Sequence, residues 1–169
     1  MLKHTVVEKQ KSSHSCFVCG IDNGSGLHAE FFQLDNNELM AVFTPREEHQ
    51  SYPGRTHGGV SAAMLDETIG RAITAFEPEV WGVTVELKLR YKKPVPLGVE
   101  LKAIGRVTSN NRRIFEGSGE ILLPDGTVAV TAEGRYMKLP IDKIAQGDFE
   151  MEEEMFLIPR ETDPTEVDF

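Results

Sequence analysis

One long stretch of helical periodicity lies among segments that alternate like β-strands. Between residues 62 and 76, apolar side chains recur three and four positions apart, which predicts one apolar helical face ending before Pro78. The residues of this face are Ala62, Leu65, Ile69, Ala72, Ile73 and Phe76. Because a single long helix cannot separate two sheets, this feature limits the architecture to one sheet packed on one helix.

The rest of the body predicts antiparallel strands. Two precede the helix and four follow it, joined as hairpins by turns rich in Asn, Asp, Pro and Gly. The predicted strands are 27–34, 39–44, 83–92, 99–108, 113–123 and 127–139. The simplest packing is an α+β fold in which an antiparallel β-sheet wraps around one long central helix. The outer face of that sheet then needs a partner.

Charge divides the chain into a near-neutral body and an acidic tail. Of a net charge of −9, the tail carries most, since residues 141–169 hold ten acidic and two basic side chains. We expect an N-terminal arm with a Cys-x-x-Cys loop (1–28), a sheet-and-helix domain (29–140) and the tail (141–169). The tail is expected to be disordered or docked on a neighbouring subunit, with a short helix near 149–157 as one option. This charge balance argues against nucleic-acid and acidic-membrane partners.

The cysteines and the apolar runs restrict compartment and cofactors. With no run of about 20 apolar residues and no apolar signal core, we expect a cytoplasmic protein. Cys16 and Cys19 are too few for a disulfide framework. His14 and His28 lie at spacings unlike those of a four-ligand zinc site, and a redox motif would need a βαβ context. We therefore expect small buried side chains in an ordered loop, and no metal.

The start of the helix carries the first candidate site. His57-Gly58-Gly59 leaves backbone N–H groups uncovered at the positive end of the helix dipole. Such groups can bind an anion or a developing oxyanion. The alternative interpretation is a flexible turn, with His57 near the helix N-cap.

Asp66 is the second candidate. Glu67 has Arg71 four residues on as a partner, whereas Asp66 has no basic residue three or four positions away. A carboxylate without a partner, beside the apolar face and on a stripe of small residues, is a candidate base or nucleophile. The small residues of the stripe are Gly59, Ala63 and Gly70. An ordinary exposed helix carboxylate is the alternative.

Cations are concentrated on one predicted strand and one turn. The strand carries Lys88, Arg90, Lys92 and Lys93, and the turn carries Arg112 and Arg113. These side chains could hold the phosphates of a small anionic ligand. An ordinary charged sheet face explains them equally well.

Several of these motifs, in this order, resemble the hotdog-fold thioesterase superfamily, and within it the phenylacetic-acid-pathway type and mammalian acyl-CoA thioesterases. The resemblance covers about residues 16–139. Its motifs are His57-Gly58-Gly59-Val60, Asp66 nine residues after the histidine, Gly82-Val83-Thr84-Val85-Glu86, Tyr91-x-x-Pro94-Val95 and Cys16-x-x-Cys19-Gly20-x-x-Asn23-x-x-Gly26-Leu27.

This resemblance implies a hotdog fold, a homodimer with a continuous sheet, often a homotetramer, and hydrolysis of acyl-CoA thioesters. It implies that Asp66 is the catalytic acidic residue, that Gly58 donates its N–H to the thioester carbonyl, and that His57 supports this turn. Thr84 matches a residue that helps to place water. Relatives often have an Asn or Gln of the catalytic site in the loop before the His-Gly-Gly. Here either Gln50 or Ser51 is near enough to take this catalytic position.

Substrate contacts and alternatives complete the expectations. Candidate substrate-binding residues are Gly59, Tyr52, Trp81, Arg90, Lys92, Arg112 and Arg113. Coenzyme A is part of the substrate, and the chemistry requires no further cofactor. A non-catalytic acyl-CoA-binding hotdog module and an acyl-thioester hydratase or dehydratase are the alternatives. Gly58 and Asp66 lie eight residues apart, about 12 Å along one helix, so we expect a site shared between two chains.

Overall fold

The computed structural model describes residues 1–147, 150 and 154–169. Its main sheet has the strand order β10-β1-β3-β4-β6-β7-β8-β5, and all of its pairings are antiparallel. The strands are β1 (Lys3–Lys9), β2 (Ser12–Ser13), β3 (Glu30–Leu34), β4 (Leu39–Phe43), β5 (Trp81–Tyr91), β6 (Leu101–Asn110), β7 (Ile114–Leu122), β8 (Val128–Leu139), β9 (Met155–Phe156) and β10 (Glu166–Asp168). The strands β2 and β9 pair as a separate ribbon.

The sheet wraps around one long helix, α1 (Gly58–Arg71), which a 3₁₀ turn at Ala72–Ala75 extends. Most of the predicted apolar face of the helix is buried against β4 to β8, with Leu65 and Ile69 fully covered. Phe76, which was predicted to belong to this face, lies after the 3₁₀ turn and is half exposed. The predicted hotdog architecture is therefore confirmed. A short helix, α2 (Ile141–Ile144), follows the sheet. Among the described helices, none combines the length and the apolar character that crossing a bilayer requires.

The two termini correct the expectations for the arm and the tail. The arm forms β1, which pairs with β3 on one side and with the C-terminal β10 on the other. Val167 of β10 is buried with Phe32 and Ile104 on the outer face of the sheet. The tail thus docks on its own chain and covers part of the face that seemed to need a partner. The short helix expected near 149–157 lies partly outside the described residues, and within them Met155–Phe156 is a strand.

A β-bulge in β5, the first strand after the helix, changes which of its side chains point toward α1. Strict alternation places Thr84 on the side opposite the apolar residues, but β5 shifts register against β8 between Thr84 and Glu86. The shift leaves Val85 more than half exposed and turns Thr84 toward α1, while Leu87 remains on the core side. A one-residue insertion reverses the faces on its two sides because side chains alternate with period two.

Candidate active site

The N-terminus of α1 is capped by the histidine that precedes it. The Nδ1 atom of His57 accepts a hydrogen bond of 2.8 Å from the N–H of Gly59. The His57 carbonyl accepts the N–H groups of Val60 and Ser61. In the described part of the chain, the N–H of Gly58 has no acceptor, so it is the free donor of this turn. The predicted supporting role of His57 has a structural basis here, since it occupies the neighbouring N–H.

A tyrosine that sequence reasoning did not assign to the site holds the Gly58 peptide. The hydroxyl of Tyr91 donates a 2.6 Å hydrogen bond to the carbonyl of Gly58. A β-carbon at Gly58 would lie 3.3–3.4 Å from the Tyr91 hydroxyl and ring, so glycine lets the ring close over this turn. Tyr91 entered the sequence analysis only as part of a strand-end motif.

An open groove of about 690 Å³ adjoins Gly58. Prolines, Val95 and the Tyr52 and Tyr91 rings line it, together with the cationic side chains Arg55, Lys92 and Lys93. Of the predicted substrate-binding residues, Tyr52 and Lys92 contribute to this groove. Its character is apolar with a cationic rim.

The other predicted contacts lie elsewhere in the chain. Trp81 begins β5, about 33 Å along the strand from Tyr91. Arg112 and Arg113 lie in the turn whose Asn110 and Asn111 bind Lys138, at the same end of the sheet as Trp81. Their role in binding stays a prediction.

Of the other predicted site residues, Gln50 stabilises a turn, whereas Gly59 and Arg90 are exposed. Gln50 accepts the N–H of Gly54 at 3.1 Å and so closes the turn before the helix. Gly59 is exposed next to the capping histidine. Arg90 alternates with Leu89 and Tyr91, which face the helix side, and therefore points to the outer face.

Asp66 is held by two hydroxyl groups from neighbouring strands. Thr84 of β5 donates to its Oδ1 at 2.8 Å. Tyr136 of β8, which pairs directly with Thr84 in the sheet register, donates toward the same Oδ1 at 3.1 Å and the Asp66 carbonyl at 2.9 Å. The inference that Asp66 lacks a partner holds only for the helix itself, because both partners come from the sheet. With Oδ1 occupied, Oδ2 remains for chemistry.

The surroundings of Asp66 raise its pKa above the usual range of an aspartate. Burial is the main cause, and the negative charge of Glu67 adds to it, while the Thr84 and Tyr136 hydroxyls act in the opposite direction. A carboxylate with a raised pKa is a stronger base than an exposed one, and it remains ionised at neutral pH as long as the shift is moderate.

Glycines make room for Tyr136 to reach Asp66. A β-carbon at Gly134 would lie 2.7 Å from the Tyr136 ring and hydroxyl, and one at Gly70 would lie 3.2 Å from the ring. Phe115 stacks on the other side of this ring at a centroid distance of 4.9 Å. Gly70, one of the small residues of the stripe beside Asp66, is therefore covered by a side chain of its own chain.

The separation between donor and carboxylate follows from the helix. Gly58 and Asp66 both belong to α1 and lie about 12 Å apart along its axis. A reacting carbonyl must lie about 3 Å from both its donor and its attacking group. The two groups of one chain are therefore too far apart to serve one thioester together.

Comparison with known proteins gives the class of this domain. Residues 53–130 match the family model described as "Thioesterase superfamily". This segment contains α1, strands β5 to β7 and all of the groove residues except Tyr52. Residues 53–130 are therefore similar to the thioesterase superfamily, and the resemblance seen in the motifs is confirmed.

Particular relatives agree with this class. The chain is 32% identical over 138 residues to acyl-coenzyme A thioesterase THEM4 of Mus musculus, covering 80% of this chain and 59% of the relative. A crystal structure of a thioesterase superfamily protein matches with a TM-score of 0.65 at 30% identity, over 73% of this chain and 63% of that one. The E. coli PaaI protein from the phenylacetic acid degradation operon shares the fold, with a TM-score of 0.61 at 15% identity over 67% of this chain and 80% of that one. The chain spans about 59% of the length of the mouse and rat THEM4 relatives.

Proposed function

We propose that this protein is an acyl-CoA thioesterase, which hydrolyses an acyl-CoA thioester to the free acid and coenzyme A. The observation that carries the proposal is Asp66, a partly buried carboxylate of raised pKa whose Oδ1 is fixed by Thr84 and Tyr136. The free N–H of Gly58 supplies the second group that thioester hydrolysis needs. The names of the similar acyl-coenzyme A thioesterases support this substrate class.

The reaction needs Asp66 as a base or as a nucleophile. As a base, the ionised carboxylate takes a proton from water, whose oxygen attacks the thioester carbonyl carbon. The Gly58 N–H donates to the oxyanion, and collapse breaks the carbon–sulfur bond and releases coenzyme A. As a nucleophile, the Asp66 carboxylate attacks the thioester carbonyl carbon, the carbon–sulfur bond breaks, and coenzyme A leaves as a thiolate that takes a proton from solvent. Water then hydrolyses the acyl-enzyme anhydride, which releases the free acid and restores Asp66. In this proposal Thr84 orients the Asp66 carboxylate by a hydrogen bond and does not bind the attacking water.

The edge of the sheet supports a homodimer that shares its active sites. In the sheet as described, β5 lies at one edge, and its eleven residues include the exposed Val85 and Tyr91. A long edge strand with exposed apolar side chains favours pairing with another strand. A two-fold axis at β5 would bring Asp66 of a second copy toward Gly58 of the first and create two equal sites. Dimers could pair further into a tetramer.

The same two-fold axis would join the separated substrate contacts. Tyr52 and Lys92 lie at the Tyr91 end of β5, whereas Trp81, Arg112 and Arg113 lie toward the other end. Antiparallel pairing of two β5 strands would place the second set near the groove of the partner. Arg55, Lys92 and Lys93 at the groove rim are our candidates for binding coenzyme A phosphates, with the partner's arginine turn beside them. No resident cofactor is proposed.

Replacement of the carboxylate tests the activity. Asp66→Asn keeps the shape and a hydrogen-bond acceptor for the two hydroxyls but removes the base, so kcat should fall by roughly 10²–10⁴. Release of free coenzyme A from a panel of acyl-CoAs measures this, and it separates a thioesterase from a hydratase or a binding module. Glu79→Gln, at an exposed carboxylate, is the matched control. A folded Asp66→Asn protein that retains more than about a tenth of the rate would remove Asp66 from the chemistry.

Two mixed dimers test whether the site is shared. The first joins an Asp66→Asn chain with a Gly58→Pro chain, and the second joins a doubly substituted chain with a wild-type chain. Proline removes the N–H donor and is tolerated at the first helical position, although its β-carbon contacts the Tyr91 ring. Gly58→Ala, which adds the β-carbon but keeps the N–H, is the control for this contact. A shared site predicts about half of the wild-type rate for the first dimer and almost none for the second. The reverse result would place both groups of a site in one chain.

A further inference from the structure

A second cluster of reactive side chains includes Glu67, the residue after Asp66 on α1, and the proposed thioesterase function does not use it. Cys16, Cys19 and Glu67 bring two sulfur atoms and a carboxylate oxygen within 4.8 Å of one another. We propose that Cys16 and Cys19 form a peroxide-reactive dithiol site, in which the Cys19 thiolate attacks a small hydroperoxide and Cys16 resolves the product as an intramolecular disulfide.

The contacts assign a different protonation state to each cysteine. Arg71 donates from Nη2 to the Cys19 sulfur at 3.0 Å, and the Ser13 hydroxyl lies 3.2 Å from the same sulfur. The Cys16 sulfur lies 3.6 Å from a carboxylate oxygen of Glu67, to which only a protonated thiol can donate. The positive charge of Arg71 favours the thiolate of Cys19. The Cys16 sulfur accepts only a neutral N–H, from Val18 at 3.4 Å among the described residues, and itself donates to Glu67, so it stays a thiol.

Acid–base properties agree with this assignment. The neighbouring Cys16 thiol and the charge of Arg71 lower the pKa of Cys19, although burial opposes them. The neighbouring Cys19, burial and the charge of Glu67 all raise the pKa of Cys16. At neutral pH the pair therefore contains one thiolate and one thiol, which are the attacking and resolving species that dithiol oxidation requires.

The position that a metal ion would need is already occupied by a guanidinium group. Arg71 bonds both to Cys19 and, through Nε at 2.9 Å, to Glu67. It is also held by the Lys11 carbonyl at 2.9 Å and stacks 4.2 Å over the Phe31 ring. A metal would have to displace this anchored cation and would find three protein ligands, one fewer than a structural zinc site uses. The cluster therefore favours thiol chemistry over metal binding.

The loop geometry brings the two sulfurs together without help from a helix or a βαβ unit. The N–H of Gly20 bonds to the Cys16 carbonyl at 2.8 Å and closes a turn around the pair. A β-carbon at Gly20 would meet the Cys16 backbone at 2.4–2.5 Å, so only glycine permits so tight a turn. Both cysteines were expected to be buried in this loop, but only Cys19 is fully buried, and Cys16 is partly exposed. The arginine beside Cys19 comes from the helix.

The burial of Cys19 limits the size of the oxidant that can react with it. Cys19 is only 2% exposed, whereas Cys16 is partly exposed. Hydrogen peroxide is small enough to reach the pair through a local fluctuation of the loop, but a bulky disulfide is hindered. The expected substrate class is therefore a small hydroperoxide.

The chemistry balances with one peroxide per chain. The Cys19 thiolate forms a sulfur–oxygen bond as the oxygen–oxygen bond breaks, and hydroxide leaves and takes a proton from solvent. The Cys16 sulfur then attacks the resulting sulfenic acid. The sulfur–sulfur bond forms, the sulfur–oxygen bond breaks, and the proton of Cys16, passed through Glu67, leaves with the oxygen as water. Two thiols are oxidised, and one hydrogen peroxide is reduced to two waters.

The experiment benefits from a chain with only two cysteines, because every thiol signal belongs to this pair. The reduced 169-residue chain is treated with hydrogen peroxide at pH 7, quenched with catalase, unfolded and titrated for free thiols. We expect both thiols to disappear together, with loss of two hydrogens from the mass and a monomeric chain on a non-reducing gel. In Cys16→Ser the reaction should stop at a sulfenic acid, which dimedone traps.

A pair of arginine variants tests whether Arg71 promotes the oxidation of Cys19. Arg71→Met keeps the apolar stem over Phe31 but removes the charge, so disulfide formation at pH 7 should slow roughly tenfold and the pH of half-ionisation of Cys19, read from thiolate absorbance, should rise. Arg135→Met, the same substitution on the outer face, should change neither quantity. If Arg71→Met does not fold, Ser13→Ala should give a smaller change in the same direction.

Three results would overturn the proposal. They are survival of both thiols in excess peroxide, a tightly bound zinc in the purified protein that protects them, and a folded Arg71→Met protein that oxidises as fast as the wild type. None of these results depends on thioesterase activity, so the two proposals can fail separately.

Discussion

Removal of one hydroxyl group, in Tyr136→Phe, should change the pH dependence of the proposed thioesterase activity more than the fold. The Tyr136 ring fits between Phe115 and two glycines, and phenylalanine keeps that packing. The lost hydroxyl donates to the Asp66 carboxylate at 3.1 Å and to its main-chain carbonyl at 2.9 Å. The variant therefore isolates one of the two hydrogen bonds that hold the carboxylate.

The magnitude follows from the two acceptors. A hydrogen bond to a charged group contributes about 1.5–3 kcal/mol, but this hydroxyl is shared with a neutral carbonyl, so about 1 kcal/mol acts on the carboxylate. The bond stabilises the ionised form, and its loss raises the pKa of Asp66 beyond the increase that burial already causes. Since Asp66 must be ionised to act, the acidic limb of kcat/KM should move upward by roughly 0.7 pH unit. Stability should fall by about 1 kcal/mol.

The assay is the pH profile of coenzyme A release, measured for the wild type, Tyr136→Phe and Tyr91→Phe. Tyr91→Phe is the matched control, because its hydroxyl bonds to Gly58 and not to Asp66. The control should leave the position of the acidic limb unchanged, whatever happens to its height. A Tyr136→Phe profile with its limb unmoved or moved downward would refute the reasoning, even if the variant melts at a lower temperature.

Three further changes have defined outcomes. Gly134→Ala places a carbon 2.7 Å from the buried Tyr136 ring, so it should cost about 1–3 kcal/mol in a denaturant titration and move the same acidic limb. Charge reversal at Arg112 and Arg113 should raise KM for acyl-CoAs but spare acyl-pantetheines, which lack the nucleotide phosphates; an equal change in both would contradict a phosphate contact. Truncation after Pro140 removes β10 and its buried valine, so it should cost at least about 2 kcal/mol and lower Tm by several degrees, and an unchanged Tm would show that the tail does not support the sheet.

Local patterns in the sequence were sufficient to predict the helix, the central strands and the two groups of the proposed reaction, the Gly58 N–H and the Asp66 carboxylate. Period-three-and-four spacing located α1, and the glycines after His57 indicated the free N–H at its start. Asp66 stood out because α1 offers it no cation. These features are readable from the sequence because they depend on residues within one or two turns of each other.

Contacts between distant segments decided the rest. The bulge in β5 turns Thr84 toward Asp66, and Tyr136 reaches the same carboxylate from seventy residues away. The acidic tail, whose composition is typical of disorder, completes the sheet because Val167 finds an apolar surface built by other strands. Cys19 acquires its charged partner only when the loop packs on α1 beside Arg71. Composition and periodicity describe what a segment can bury or expose, but the partner that satisfies a carboxylate, a thiolate or an apolar face is chosen by the packing of the whole chain.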